Sequence, residues 1–394
     1  MALARSGTGG LIEMQPATRT LIDTLTKSLS TPLEEARGLP PQVYLSEEFY
    51  ELELEHLFRR DWICVGREEE AENPGDYFTI ELAGEPLVVV RGADNRLRAL
   101  SNVCRHRYMQ VVMGQGNAAR LSCPYHGWTY QLDGSLMGAT SMAESRILDK
   151  DNCRLPEFRL ETWLGFIFVN LDADAESLGP RLQTLGDRLA PYHIDRMRIS
   201  SMYDEIWEGN WKLTMENNAE AHHHRTLHPE TLQPWMPGDD SHCGDDEQDW
   251  SLLRTPLMMD LVRAQAPIYA DLMERWSADI KPQDREETLT YVIYPSSTID
   301  ASPGIVFWKR ILPLGIDRTR VMMGALVPEE DLNDELSRYN REFFEVINPE
   351  DYQATWRLQK TIRSRFAEAG PLSVKEACLF YFQRYLGRRL KDVV

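Results

Sequence analysis

Cysteine and histidine recur at a fixed spacing in one short stretch of this chain, and that spacing constrains the fold more than any other feature. Cys104 and His106 read Cys-x-His, and after a gap of sixteen residues Cys123 and His126 read Cys-x-x-His. Two ligands on each of two loops that can face each other predict a metal site. Two metals suit this donor set: a structural zinc ion, or an iron–sulfur cluster in which two histidines replace two cysteines on one iron.

The distribution of the four residues over the two loops favours the cluster. Zinc fingers place their cysteines together and their histidines together, whereas here each loop carries one of each. Residues 123–128 read Cys-Pro-Tyr-His-Gly-Trp and lead into an expected strand, TYQLDGSL. This segment resembles the Rieske motif of Rieske non-haem iron oxygenases. The resemblance implies a Rieske [2Fe–2S] cluster whose ligands are Cys104, His106, Cys123 and His126.

A second group of metal-binding residue types lies at residues 210–229, NWKLTMENNAEAHHHRTLHP. Two imidazoles and a carboxylate on one face of a metal form the facial triad of Fe(II) oxygenases. The family pattern that the stretch resembles is Glu-Asn-x-x-(Asp/Glu)-x-x-His-x-x-x-x-His. Its positions fall on Glu216, Asn217, Glu220, His223 and His228. The resemblance implies that the two histidines of the pattern bind a mononuclear Fe(II) and that Asn217 and Glu220 serve catalysis beside it.

Three consecutive histidines leave a rival assignment open. His224 and His228 are four residues apart and would share one face of a helix, so they compete with the pair His223 and His228. His222 stands where the family often has tyrosine, which implies a position near the site without binding iron.

The third iron ligand must come from elsewhere in the chain. The C-terminal run that begins INPEDYQATW resembles the last helix of the family, and by that match the ligand is Asp351, with Glu350 as its competitor. Pro-Glu-Asp is also a typical helix start, because acidic side chains stabilise the N-terminal end of the helix dipole. We therefore expect Asp351 in the first turn of a helix.

Glu220 occupies a position that is aspartate in many ring-hydroxylating members of the family. Members that act on quaternary ammonium compounds, such as carnitine and choline oxygenases, resemble this chain in having glutamate. The resemblance implies that Glu220 accepts one hydrogen bond from His126 of a neighbouring subunit and another from His223, across a ring-shaped homotrimer. An ordinary exposed helix glutamate is the plain alternative.

Composition and charge agree with a soluble oxidoreductase. A hydrophobic fraction of 42% supplies a substantial core, and no stretch approaches the roughly 20 apolar residues of a membrane span. The N-terminal residues MALARSGTGGLIEMQP lack the apolar core of a signal peptide, so we expect a cytoplasmic protein. A net charge of −19 disfavours binding to nucleic acid or to an anionic membrane.

These anchors predict an α+β fold in three parts. Residues 1–44 hold a helix and a linker, residues 45–160 an all-β Rieske [2Fe–2S] domain, and residues 161–394 a catalytic domain with an antiparallel sheet gripping a long C-terminal helix. We expect the histidines on one helix over residues 208–228. The catalytic domain should contain the strand GFIFVNL, and its antiparallel sheet should be formed by the strands TLTYVIYPSSTID, GIVFWKRILPL and RTRVMMGALVP.

By resemblance, the chain is a terminal oxygenase (alpha) subunit that uses O₂ and electrons from an NAD(P)H-dependent reductase, directly or through a ferredoxin. It would hydroxylate or N-demethylate a small N-methylated or quaternary ammonium compound, as single-subunit carnitine, choline and betaine oxygenases do. The alternatives are a hydroxylase, dioxygenase or O-demethylase of an aromatic carboxylic acid and, more remotely, a Rieske electron carrier without catalysis. The aromatic candidates for a cation-binding cage are Tyr203, Trp207, Trp250 and Trp308.

Overall fold

The structure, a computed structural model, describes residues 14–393, with the backbone alone at residue 245. Its helices are α1 (Pro16–Ser28), α2 (Gln42–Leu45), α3 (Glu47–Glu53), α4 (Leu178–Leu189), α5 (Trp211–Asn218), α6 (His224–Leu227), α7 (Met259–Gln265), α8 (Pro267–Arg275), α9 (Asp334–Thr361) and α10 (Ala377–Leu390). Its strands are β1 (Ile63–Arg67), β2 (Asp76–Leu82), β3 (Glu85–Arg91), β4 (Leu97–Ser101), β5 (Gln115–Asn117), β6 (Leu121–Ser122), β7 (Thr129–Tyr130), β8 (Leu136–Gly138), β9 (Glu157–Trp163), β10 (Phe166–Asn170), β11 (Met197–Trp207), β12 (His242–Asp246), β13 (Trp250–Pro256), β14 (Glu287–Ile293), β15 (Ser297–Ser302), β16 (Ile305–Gly315) and β17 (Arg318–Pro328).

The first sheet is antiparallel, with seven strands in the order β1-β10-β9-β4-β3-β2-β5. In the turns after β2 and β3, Ala83, Gly84 and Asn95 take positive φ values of 50°, 79° and 62°. Strand β10, expected in the catalytic domain, instead pairs between β1 and β9 of this sheet. All five of its residues are buried, which suits a strand flanked on both sides. The first sheet thus runs past residue 160.

The second sheet is also antiparallel, in the order β11-β17-β16-β15-β14-β13-β12, and α9 packs against β11. The predicted α+β class is therefore confirmed. One expected strand, TLTYVIYPSSTID, is a hairpin: β14 ends at Ile293, the chain turns at Pro295, and β15 begins at Ser297. Proline cannot donate a ladder hydrogen bond, so it interrupts the strand. The acid-rich stretch 238–249 contributes the edge strand β12.

Helix α9 begins well before the Pro-Glu-Asp sequence that was expected to start it. Asn333 caps the helix by accepting a hydrogen bond from the N–H of Leu336 at 2.9 Å, and Asp334 and Glu335 form an acidic first turn. Pro349 lies inside the helix. Asp351 is therefore buried in the middle of α9, and the prediction that it occupies a first turn was wrong.

Helix α5, which precedes the histidines, is held to the N-terminal segment by a buried ion pair. The Nζ of Lys212 lies 2.7 Å from Oε1 of Glu53, and both side chains are fully buried. Trp211 also donates to Glu53, from Nε1 to Oε2 at 3.0 Å. Burial lowers the pKa of Lys212 and raises that of Glu53, so each group depends on the other to remain charged.

We expect Lys212→Met to reduce the free energy of unfolding by about 3–5 kcal/mol, because it leaves the Glu53 carboxylate buried without its cation. Urea unfolding followed by circular dichroism would measure the loss. The double variant Glu53→Gln/Lys212→Met removes both charges and should recover a large part of it. An equal loss in the single and the double variant would show that packing, rather than charge, accounts for the effect.

None of the helices within residues 14–393 is long and apolar enough to cross a membrane.

Candidate metal centres

Two tight turns hold the four residues predicted to bind the cluster. In the first turn the N–H of Cys104 donates to the carbonyl oxygen of Met109 at 2.8 Å, and in the second the N–H of Cys123 donates to that of Trp128 at 2.8 Å. Gly127 in the second turn has a φ of 71°, which a side chain would strain. Because the second turn joins β6 to β7, the small sheet β6-β7-β8 fixes its position.

The side chains of both turns point to one place. The ring centroids of His106 and His126 are 4.7 Å apart, and the thiols of Cys104 and Cys123 are buried and free of disulfides. The Sγ of Cys104 also lies 3.3 Å from the hydroxyl oxygen of Tyr130, a residue that the spacing did not single out. A hydroxyl beside a cluster thiolate is a group that tunes its reduction potential.

The residues present fit a Rieske cluster. Burial, and then the neighbouring Cys104 thiol, raise the pKa of Cys123, so the two sulfurs need a metal to remain thiolates together. Nδ1 of His126 is buried and has no hydrogen-bond partner within the described part of the chain. An unpartnered ring nitrogen beside two close thiols is the donor arrangement that a cluster with mixed cysteine and histidine ligands requires.

The helix predicted over residues 208–228 is broken at the histidines. Helix α5 ends at Asn218, and the four-residue helix α6 begins only at His224. The carboxylate of Glu220 accepts the N–H of His223 at 3.1 Å and so stabilises the turn between the two helices. Gly238 packs against this turn so closely that a Cβ there would overlap the carbonyl oxygen of Ala221. His224 and His228 remain four residues apart on the short helix α6 and its C-terminal cap, where the N–H of His228 donates to the carbonyl oxygen of His224 at 3.0 Å, so the helix break alone does not decide between the rival histidine pairs.

Three of the predicted ligands meet beside α9. One ligand atom each from His223, His228 and Asp351 lies within 4.8 Å of the other two. Oδ1 of Asp351 is 2.9 Å from Nε2 of His228 and 3.6 Å from Nε2 of His223. Two imidazoles and one carboxylate facing each other fit the facial triad of a mononuclear Fe(II) site.

In both His223 and His228 the second ring nitrogen, Nδ1, donates a hydrogen bond to a carboxylate outside the group of three. Nδ1 of His223 donates to Oε1 of Glu220 at 2.5 Å, and Nδ1 of His228 donates to Oε2 of Glu350 at 2.7 Å. Both Nε2 atoms are thereby left free to bind a metal. A hydrogen bond from the other ring nitrogen to a carboxylate is the usual way in which ligating histidines are held in place. Glu350 also accepts from the hydroxyl of Thr231 at 2.7 Å, so the competitor of Asp351 lies behind His228.

The neighbouring polar residues have partners of their own. The ring of His224 is held by a 2.8 Å hydrogen bond from Nδ1 to the carbonyl oxygen of Met236, and burial lowers its pKa to about 4. His222 is exposed. Asn217 donates from Nδ2 to Oδ1 of Asp351 at 3.2 Å, which places it in contact with the carboxylate of the triad.

Glu216 lies on α5 with its carboxylate turned to the N-terminal segment. The hydroxyl of Tyr44 donates to it, 2.7 Å from Oε1 and 2.8 Å from Oε2, and burial raises the pKa of Glu216 to about 7.

The pKa shifts of Asp351 and His228 indicate that the group formed by His223, His228 and Asp351 stabilises a positive charge. Burial on its own raises the pKa of Asp351, but the hydrogen bond and charge of His228, followed by the charges of His223 and Lys309, outweigh burial and lower it. Burial lowers the pKa of His228, and the carboxylates of Asp351 and Glu350 more than offset this, so that pKa is raised. Cationic charge is stabilised at this point of the fold, and a divalent metal would supply it.

A cavity of about 120 Å³ lies beside His223 and Asp351, and it shares part of its wall with a second cavity of about 390 Å³. Phe307, Phe343 and Ile347 line both. The proposed aromatic cage was wrong: none of its four members is among the described residues that line either cavity, and Trp207, Trp250 and Trp308 are core residues that are 1% exposed. Alternation of apolar residues in a strand indicates a buried face but does not say which cavity it meets.

Two family profiles match the chain. One, described as "Rieske [2Fe-2S] domain", matches residues 61–159, and the other, described as "Ring hydroxylating alpha subunit (catalytic domain)", matches residues 188–392. The carnitine monooxygenase oxygenase subunit of Escherichia coli (strain K12) is 27% identical over 375 residues, which cover 91% of this chain and 95% of that protein. The glycine betaine monooxygenase oxygenase subunit of Chromohalobacter salexigens is 29% identical over 401 aligned positions, which cover 88% and 87%.

Solved structures share the fold over nearly the whole length. The quaternary ammonium Rieske monooxygenase CntA in complex with L-carnitine is 25% identical, with a TM-score of 0.78 and coverage of 92% of this chain and 98% of that one. Naphthalene 1,2-dioxygenase from Rhodococcus sp. reaches the same TM-score of 0.78 at 21% identity, with coverage of 96% and 99%. At that identity the likeness to the dioxygenase concerns the fold alone.

Proposed function

This chain belongs to the ring hydroxylating alpha subunit family, and we propose that it is the oxygenase component of a monooxygenase that acts on a small quaternary ammonium compound. The class predicted from the sequence, a Rieske-type oxygenase with a [2Fe–2S] domain and a catalytic domain of the mononuclear iron type, is confirmed. The match to the catalytic domain argues against the alternative function, a Rieske electron carrier without catalysis. The observation that supports the substrate class is the similarity to carnitine and glycine betaine monooxygenase oxygenase subunits over about nine-tenths of the chain.

The proposed roles of the residues follow from their contacts. His223, His228 and Asp351 would hold Fe(II), which when bound supplies the activation of O₂ with electrons delivered through the cluster. Glu350 fixes the ring of His228 through Nδ1, and Asn217 orients the carboxylate of Asp351. The apolar walls of the two cavities would exclude water from the reacting centre.

Cys104, His106, Cys123 and His126 would hold the cluster, near the surface of the first sheet's domain. Tyr108 and Tyr125, which stand on the two cluster turns, are 89% and 52% exposed. Exposed aromatic side chains beside a redox centre suit a protein–protein contact. We infer a homotrimer in which this surface meets the catalytic domain of a neighbouring subunit, and a partner reductase that supplies electrons from NAD(P)H. The cytoplasmic location stays a prediction.

A single-turnover experiment tests the substrate class without knowledge of the reductase. Protein holding both metal centres, reduced chemically under anaerobic conditions, is mixed with O₂ and with carnitine, glycine betaine or γ-butyrobetaine. We expect an oxygenated or demethylated product from at least one of them by mass spectrometry, and none from the Asp351→Ala variant. Product from 4-methoxybenzoate but from no quaternary ammonium compound would overturn the proposal in favour of an aromatic carboxylic acid.

A further inference from the structure

The cavity beside the triad contains a charged pair that supplies none of the three iron ligands. Lys309 on β16 and Asp300 on β15 both line the cavity, and their side chains are 19% and 15% exposed. The Nζ of Lys309 lies 3.8 Å from Oδ2 of Asp300, which is longer than a hydrogen bond. Charged groups at this depth are uncommon unless they are closely paired or have a function.

Lys309 has hydrogen-bonding capacity left for a ligand. An ammonium group has three donors. One of them goes to Oδ1 of Asn218, whose own amide is oriented by a 2.7 Å hydrogen bond from Nδ2 to the carbonyl oxygen of Thr214. Among the described residues, Asn218 is the hydrogen-bond partner of Lys309 and Asp300 its ion-pair partner, while the charge of Lys309 also acts on Asp351. A carboxylate entering the cavity would be the strongest acceptor for the remaining donors.

Asp300 is placed to face a cation beside an aromatic ring. It lies directly opposite Phe307 in the antiparallel pairing of β15 with β16, so the two side chains are neighbours on the cavity face of the sheet. A carboxylate next to a phenyl ring is a favourable environment for an onium group, which combines charge with an apolar surface. Thr290 lies opposite Asp300 on its other side, on β14, and also lines the cavity.

The charges of the cavity wall favour a ligand without net charge. Three carboxylates line it, those of Glu220, Asp300 and Asp351, together with the single lysine Lys309. A bound Fe²⁺ would bring these formal charges into balance. A ligand that carries only a positive charge would place no anion beside the ammonium of Lys309. An aromatic carboxylate would pair with Lys309 but would leave the carboxylate of Asp300 facing an uncharged ring.

We propose that Lys309 and Asp300 form a substrate-binding subsite for a zwitterion, in which Lys309 donates to a carboxylate and Asp300, with Phe307, faces an onium group. The proposal rests on the proposed function and deepens it, because it makes the carboxylate as necessary for recognition as the onium. Lys309 is thereby a specificity-determining residue, separate from the iron ligands.

Binding to the protein with both metal centres loaded, measured anaerobically by isothermal titration calorimetry, tests the subsite. The probes are γ-butyrobetaine and its methyl ester, which keeps the onium group but lacks the carboxylate. We expect the wild-type protein to bind the zwitterion about 30-fold or more tightly than the ester, as for a buried charge-assisted contact. Lys309→Met should remove this preference while leaving the affinity for the ester unchanged or higher, and Asp300→Asn should weaken the binding of both probes.

Lys281→Met is the matched control, since Lys281 is exposed and lines neither cavity, and it should behave as the wild type does. Equal affinity of the wild type for zwitterion and ester would overturn the subsite while leaving the proposed function standing. An equal loss for both probes in Lys309→Met would mean that Lys309 only supports Asn218. If no onium compound binds or reacts, the proposed function fails together with the subsite. The comparison of zwitterion and ester binding in the wild-type protein tests the subsite even where a variant does not fold.

Discussion

Replacing His223 or His228 with alanine is expected to abolish turnover and to lower the iron content from about three atoms per chain to about two, leaving the cluster in place. Each variant removes one nitrogen from the group that meets Asp351. Metal analysis gives the iron content, and the electron paramagnetic resonance spectrum of the reduced cluster, which should be unchanged, shows that the first domain is intact.

Two neighbouring residues supply matched controls for this result. His224→Ala should retain the mononuclear iron, because its ring is bonded to the carbonyl oxygen of Met236. Asp351→Ala should behave as the histidine variants do, whereas Glu350→Ala should retain iron with reduced affinity, because it removes only the support of His228. Loss of iron in His224→Ala, with iron retained in His223→Ala, would show that the rival histidine pair is the correct one.

Glu220→Gln is expected to slow electron transfer from the reduced cluster to the mononuclear iron by about 100-fold or more, with both metals retained. The glutamate accepts hydrogen bonds from the ring and the backbone N–H of His223. An amide has one accepting oxygen where the carboxylate has two, so either this histidine or the His126 expected from a neighbouring subunit loses its partner. Rapid-mixing absorbance at the visible bands of the cluster, with substrate and O₂ present, measures the rate of its reoxidation.

Glu345→Gln, an exposed change on α9, is the control and should keep the wild-type rate. If the Glu220→Gln variant loses its mononuclear iron together with its electron-transfer rate, Glu220 only positions His223. The proposed electron-transfer route between subunits would then lose its support. A wild-type rate with product formation in the Gln variant would leave Glu220 with no part in electron transfer.

Features that depend on short stretches of chain could be predicted from the sequence. The ligand spacing of the cluster turns is such a feature, because each turn is closed by its own backbone hydrogen bonds, as at Cys104 and Cys123. The pattern from Glu216 to His228 marked the residues of the second centre, although resemblance rather than periodicity chose His223 over His224.

Other features were decided only by contacts between distant segments. The helix break before His224 depends on the close approach of Gly238, and the depth of Asp351 within α9 depends on a cap at Asn333, eighteen residues earlier in the chain. The sequence by itself therefore determined the family, the cofactor classes and the residue types of both centres. The tertiary structure alone placed Glu350 behind a histidine and Lys309 beside Asp300 in the cavity, because side chains that do not follow one strand or helix period leave no local pattern that would reveal their contact.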